Sequence, residues 1–262
     1  MLCVLSWFFW GLLTAVLFTY LTRAVVVGRR TVPVARDDRS RVVATVGAFA
    51  REFVLAALTV VSWPLGLVPI RIFSQVGSSA PIVLIPGAMM TWTACLPLRW
   101  FLRARVDNPI VLLGYTPLWG APTRAAARLG DRVRTLARLA PGGRVHLIAF
   151  GEGGLTALGA MAADPELPVD RLVTVATPFV APRMGRVFLP GGADRYPADL
   201  PALPAPTRAI RSAGDNLVLP DESLPPEGTD TVTFASDGHL STWYSPRAWQ
   251  RALEALDLEP PG

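Results

Sequence analysis

Lysine is absent from this 262-residue chain; every basic residue is an arginine. Cysteine is nearly absent too. Cys3 and Cys95 lie far apart, show no metal-ligand spacing and make a disulfide framework implausible, so cysteine usage leaves the redox compartment open. Histidine is limited to His146 and His239. No P-loop and no dinucleotide fingerprint is present, so no cofactor is indicated, and no His/Cys cluster suggests a metal. There is no internal repeat and no low-complexity tract. The net charge of +5 does not argue for nucleic-acid binding, because it is confined to one end. Residues 1–71 carry 8 Arg against 3 acidic residues, whereas 72–262 carry 17 against 17. Basic residues between apolar segments fit a loop on the cytoplasmic membrane face better than a nucleic-acid surface.

Apolar residues are abundant. They make up 51% of the chain, and the mean hydropathy of +0.38 is high for a purely soluble domain. Leu2 to Leu21 is free of charge and rich in Leu, Phe and Trp. At about 1.5 Å per residue, such a helix can cross a ~30 Å hydrocarbon layer. A cleaved signal peptide would need a basic start and a small-residue cleavage site, and neither is clear. Arg23 to Arg41 is arginine-rich and is expected to stay in the cytoplasm. A second apolar run, Phe53 to Ile70, is flanked by Glu52 and Arg71, and Trp63, Pro64, Gly66 and Pro69 suggest an irregular end at an interface. If it spans, residues 1–71 form a hairpin anchor in the inner membrane and the 72–262 domain faces the periplasm, the favoured expectation. If it lies in the interface, the domain stays cytoplasmic.

The remainder reads as alternating strands and helices. Expected strands are 81–85, 109–113, 145–150, 171–177, 207–211 and 229–235. Expected helices are 96–105, 122–139, 155–163 and 246–256. On the 122–139 helix, Ala127, Leu129, Val133, Leu136 and Leu139 can share one face. Short apolar strands alternating with helices predict an α/β fold, a mostly parallel sheet with helices on both faces. Residues 179–206 are rich in Pro and Gly and read as a long loop or lid. The sharpest local signal is the strand Val145 to Phe150, the tight turn Gly151-Glu152-Gly153-Gly154 and the helix after it.

Five segments, in order, resemble the α/β-hydrolase family, in particular bacterial lipases and esterases. Ile85-Pro86-Gly87-Ala88 is similar to the family's oxyanion loop, with Pro86 in place of its histidine. Ala149 to Gly154 is similar to the G-x-S-x-G nucleophile elbow. Ala176-Thr177-Pro178-Phe179 resembles a strand ending in Thr-Pro-His. Ser212-Ala213-Gly214-Asp215 resembles the loop of the triad acid, and Gly238-His239-Leu240 that of the triad base. The resemblance covers about residues 80–258. It implies Asp215 as acid, His239 as base, and the backbone N–H groups of Ala88 and Glu152 as an oxyanion hole. Met89, Met90, Trp92 and Phe179 are the expected pocket lining, with core or lid packing the alternative reading for Met89, Met90 and Trp92.

One departure decides the chemistry. Gly151 stands where the serine belongs and has no side chain. Acyl transfer needs a hydroxyl or thiol that the histidine can deprotonate. Losing a triad nucleophile typically costs on the order of 10⁶-fold in turnover. Three readings follow: a membrane-anchored pseudohydrolase that binds lipid or ester, an active ester hydrolase that uses water or a displaced nucleophile (Thr177, Ser236 or Ser241), and a subunit packed on other membrane proteins. Expected partners are membrane lipids and other membrane subunits, not nucleic acid. Taken alone, Asp215 could be a turn residue and His239 a surface histidine; His146 reads as a core residue of the elbow strand.

Overall fold

The computed structural model describes residues 2–28, 38–68, 79–114, 122–180 and 205–258. Two long helices come first, α1 (Leu2–Gly28) and α2 (Asp38–Gly66). Then follow β1 (Ile82–Ile85), a 3₁₀ turn (Trp92–Cys95), α3 (Leu96–Arg103), β2 (Ile110–Leu112), α4 (Pro122–Leu139) and β3 (Val145–Phe150). The chain continues with α5 (Glu152–Ala163), β4 (Val169–Val175), β5 (Thr207–Ser212), β6 (Asp230–Phe234), α6 (His239–Trp243) and α7 (Pro246–Leu256). The six strands form one sheet in the order β2-β1-β3-β4-β5-β6, and every pairing is parallel. Most of the expected lid, 181–204, and much of the arginine-rich connection, 29–37, lie outside the described residues.

The sheet is buried on both faces, which is why its strands read as continuous apolar runs. Alternate residues supply alternate layers. Val83, Ile85, Val145, Leu147 and Ala149 pack with Leu129, Val133, Leu158 and Met161 of α4 and α5. Ile82, Leu84, Ile148 and Phe150 pack with Leu98, Leu102, Trp243, Ala252 and Leu256 of α3, α6 and α7. Each fully buried large aliphatic side chain contributes about 1.5–3 kcal/mol relative to its exposed state. The chain passes from β1 outward to β2 and then returns across β1 to β3, so strand order reverses between β1 and β3. In open parallel sheets a ligand crevice lies outside the carboxyl ends of the strands at such a switch point. Here those ends are Ile85, leading into Pro86-Gly87, and Phe150, leading into Gly151.

The N-terminal helices differ from the expected spans in extent and in surroundings. Helix α2 starts at Asp38, so Arg39 and Arg41 belong to its first turns and not to a loop. Its stretch Val46–Gly66 is long and apolar enough to cross a bilayer, which by itself is weak evidence for anchoring. One side of it packs on the sheet domain. Glu52 and Thr59 are buried there, the Thr59 hydroxyl lies 3.3 Å from the Tyr244 hydroxyl, and Trp63 Nε1–H donates to the Met89 carbonyl at 3.1 Å. Gly66 sits so close to Thr91 that an added Cβ would fall on its hydroxyl. The other side exposes Val54, Leu58 (61%), Val61 (72%) and Leu65. Helix α1 adds Trp10, Leu17, Phe18 and Leu21 at the spacing of one helical face. The buried side chains of this helix pair, Thr19, Glu52 and Thr59, are thus polar and many of its large apolar ones are exposed, unlike a water-soluble amphipathic helix.

Candidate active site

The turn after β3 is sharp. Gly151 has φ 51° and ψ −124°, in the left-handed half of backbone space that glycine enters at no steric cost. Its N–H donates to the Val175 carbonyl at 2.9 Å, and its carbonyl accepts the Gly154 N–H at 3.0 Å, which starts α5 at Glu152, three residues before the sequence-based start. The two following glycines are required by contact: a Cβ at Gly153 would fall on the Pro86 carbonyl, and one at Gly154 on the Thr177 hydroxyl. The helix can thus press against the end of β1. At Gly151 itself the space is open. A Cβ there would meet His239 Nε2 at 3.4 Å, His239 Cε1 at 3.7 Å and Gly87 Cα at 3.9 Å, all ordinary contacts.

His239 is brought to this point from the far end of the chain. It opens α6, just after the loop that follows β6. Its Nδ1–H donates to Asp215 Oδ2 at 2.9 Å. Asp215 follows β5 and is 1% exposed, and its other oxygen accepts the N–H groups of Leu217 and Val218, both at 2.8 Å. Those two bonds fix the carboxylate, and the carboxylate fixes the ring, with Nε2 turned toward Gly151. Phe150 closes one side of the ring at 4.7 Å between centroids and stacks in turn on Trp243 at 5.0 Å. Burial pulls the His239 basicity down. The Asp215 charge and hydrogen bond and the Glu52 charge outweigh that burial, and the ring titrates above its ordinary value.

The other expected positions fall as follows. Ala88 is half-buried in the turn after β1, and Glu152 is buried in the first turn of α5, so both border the elbow. Trp92 is buried in the 3₁₀ turn and Met90 close by. Met89 is half exposed, with φ 57°, and its carbonyl is taken by Trp63. Phe179 is buried in the layer of α4 and α5, and its N–H donates to the Glu222 carbonyl at 2.8 Å. Among the alternative nucleophiles, the Ser241 hydroxyl donates to Glu52 Oε1, Thr177 is buried against Gly154, and Ser236 is exposed beyond β6. His146 is buried in β3, with Nδ1 3.6 Å from Asp170, and burial lowers its basicity. No group of three potential metal ligands occurs among the described residues.

Sequence reasoning missed the residues that hold the His239 loop. Asn216 Oδ1 accepts the His239 N–H at 3.0 Å, and Asn216 Nδ2 donates to Thr19 of α1 at 2.8 Å. Glu52 of α2 accepts from the N–H groups of Leu240 and Ser241. The available signal was Glu52 itself, a single carboxylate at the edge of an apolar run, where an ionisable residue is costly and marks a partner.

Neither a family description nor a curated protein matches the sequence. Solved structures do match in shape. A lipase B of Aspergillus fumigatus superposes with TM-score 0.53 at 17% identity, over 71% of this chain and 54% of that one, so this chain spans about half of that lipase. A mature lipase of Bacillus licheniformis gives TM-score 0.53 at 13% identity, over 72% of this chain and 95% of that one. A carboxylesterase of Bacillus subtilis gives 0.50 at 12%, over 68% and 84% respectively. At such identities the likeness establishes the fold: the sheet domain has the α/β-hydrolase architecture expected from its motifs.

Proposed function

We propose that this protein is a membrane-attached, lipase- and esterase-like pseudohydrolase that works by binding a lipid or ester, or as a partner subunit, and not by turning substrate over. The observation that carries this reading is the combination at one point of an oriented Asp215–His239 pair and a bare Gly151. A base without a nucleophile has nothing to deprotonate on the acyl-transfer path. Ser241 is committed to Glu52, and neither Thr177 nor Ser236 takes the serine's place beside Nε2. Beside the pair lies a sharp glycine turn at the switch point of the sheet, and the backbone N–H groups of Ala88 and Glu152 are the proposed donors to a bound carbonyl. The test is ester turnover by the purified full chain in mild detergent, on short- and long-chain p-nitrophenyl esters. The reading expects no turnover that depends on His239. Robust hydrolysis abolished by His239→Ala would replace it with water activated by the Asp215–His239 pair in the space beside Gly151.

Attachment to the bilayer is supported by the exposed apolar side of the hairpin. Val54, Leu58, Val61 and Leu65, with Leu17 and Leu21 of α1, present an apolar surface that water does not favour and that lipid tails or neighbouring membrane helices would cover. Two full crossings by the hairpin would carry the domain packed on α2 to membrane depth. The inner side of α2 between Glu52 and Gly66 is occupied by the sheet domain, which favours a hairpin lying along the membrane surface beside the site. The arginine-rich 23–41 stretch then favours the anionic cytoplasmic leaflet.

A further inference from the structure

The hairpin is more than an anchor that happens to touch the domain. Its inward polar groups converge on two short stretches, the acid loop 213–216 and the base loop 237–241. From α1, Arg23 donates to the Ala213 carbonyl at 3.0 Å and Thr19 accepts from Asn216. From α2, Arg51 pairs with Asp237 at 3.4 Å, and Glu52 reaches the start of α6. Glu52 is 2% exposed and takes three hydrogen bonds, from Leu240 N–H at 3.0 Å, Ser241 N–H at 2.6 Å and the Ser241 hydroxyl at 2.5 Å. Helix α6 is only five residues long, and its own leading residue, Gly238, offers no side-chain cap. The orphan N–H groups of its first turn are satisfied instead by a carboxylate nearly 190 positions earlier in the chain. Gly238 permits this approach, since a Cβ there would lie 2.5 Å from both Cδ and Oε1 of Glu52.

We propose that Glu52 is a positioning residue of the Asp215–His239 pair: from the membrane hairpin, its carboxylate clamps the backbone that carries the imidazole. The inference rests on the reading of that pair as the site. Two physical effects act together. The hydrogen bonds to Leu240 and Ser241 set where the first turn of α6 sits, and His239 is the residue before them. In its ionised form the Glu52 carboxylate, like that of Asp215, favours the protonated imidazole. Other titratable or charged groups near these loops are Tyr20 of α1, which interacts with both Glu52 and Asp215, Arg51, paired with Asp237, Arg23 at the Ala213 carbonyl, and Glu152 at the elbow. The N-terminal helices are then a wall of the site, and separating them from the domain would release the base.

The test is nuclear magnetic resonance of the imidazoles in the full chain in detergent micelles, where only two histidines contribute. Glu52→Gln keeps the size and removes the charge; Glu52→Ala removes the clamp. The expected results are a downward shift of the His239 titration in Glu52→Gln, and loss of the low-field Nδ1–H signal of the Asp215 hydrogen bond in Glu52→Ala. His146 should not move. Thr59→Val, which loosens α2 from Tyr244 without touching the base loop, should leave His239 unchanged. An unchanged His239 titration in Glu52→Gln overturns the proposal, as does an equal shift in Thr59→Val. Should Glu52→Ala fail to fold, the near-isosteric Gln variant decides alone. No ester substrate enters these measurements, so their outcome is separate from whether the site can be re-armed for hydrolysis.

Discussion

Gly151→Ser restores the missing group at a place where geometry allows the cost and the gain to be worked out. The new Cβ would meet nothing closer than His239 Nε2 at 3.4 Å, so no neighbour has to move. The hydroxyl carried on that Cβ comes within hydrogen-bond reach of Nε2 in a rotamer turned toward the ring. The cost is conformational: a non-glycine residue at φ 51° and ψ −124° is strained by about 1–3 kcal/mol. For a chain of this length that lowers the melting temperature by several degrees. The gain is the nucleophile, whose loss from an intact triad is worth on the order of 10⁶-fold in turnover. Even an imperfectly aligned serine should therefore raise p-nitrophenyl ester hydrolysis at least ~100-fold above the unmodified chain, with the activity removed again by His239→Ala. Kinetics and thermal melts on the same preparation report both effects. A folded Gly151→Ser protein that neither hydrolyses esters nor reacts with a fluorophosphonate would refute the idea that acid, base and hole are still assembled.

Other perturbations test separate parts of the account. Phe150→Ala removes a ring packed on both His239 and Trp243, and should cost about 3–5 kcal/mol by denaturant unfolding. Asp215→Ala leaves the buried imidazole without its partner and should cost about 3–5 kcal/mol at acidic pH, where the ring is charged. The two histidines should act oppositely on stability against pH. The raised His239 value means its stabilisation is complete below about pH 6.5 and fades as pH rises through the folded-state value. The lowered His146 value means stability is lost as pH falls below about 6.5, so His146→Leu should flatten the acid side of the curve. Leu58→Glu with Val61→Glu, on the outward side of α2, should abolish flotation with liposomes while leaving the fold of the sheet domain unchanged by circular dichroism.

Much of the sheet domain was legible because its elements obey local rules. The strand Val145–Phe150 and the helices Pro122–Leu139 and Pro246–Leu256 have the expected bounds, set by apolar runs and by proline at two helix starts. The other strands shift by one or two residues at their ends, where pairing with a neighbour and not side-chain type decides the limit. Helix α6 was missed because nothing local specifies it: Gly238 gives no side-chain cap and the stabilising carboxylate comes from Glu52. The same long-range contact hid the role of the hairpin. Thr19, Glu52 and Thr59 are three polar residues among many apolar ones, and only the folded chain shows that they share the inward side.

Intact-mass spectrometry of the unmodified full chain after exposure to a serine-directed fluorophosphonate addresses the central claim most directly. With Gly151 at the elbow, the account expects no covalent adduct on any serine or threonine, under conditions in which Gly151→Ser gains one. A stoichiometric adduct on the unmodified protein, lost on His239→Ala, would show that a hydroxyl elsewhere serves the base and that the site is not disarmed.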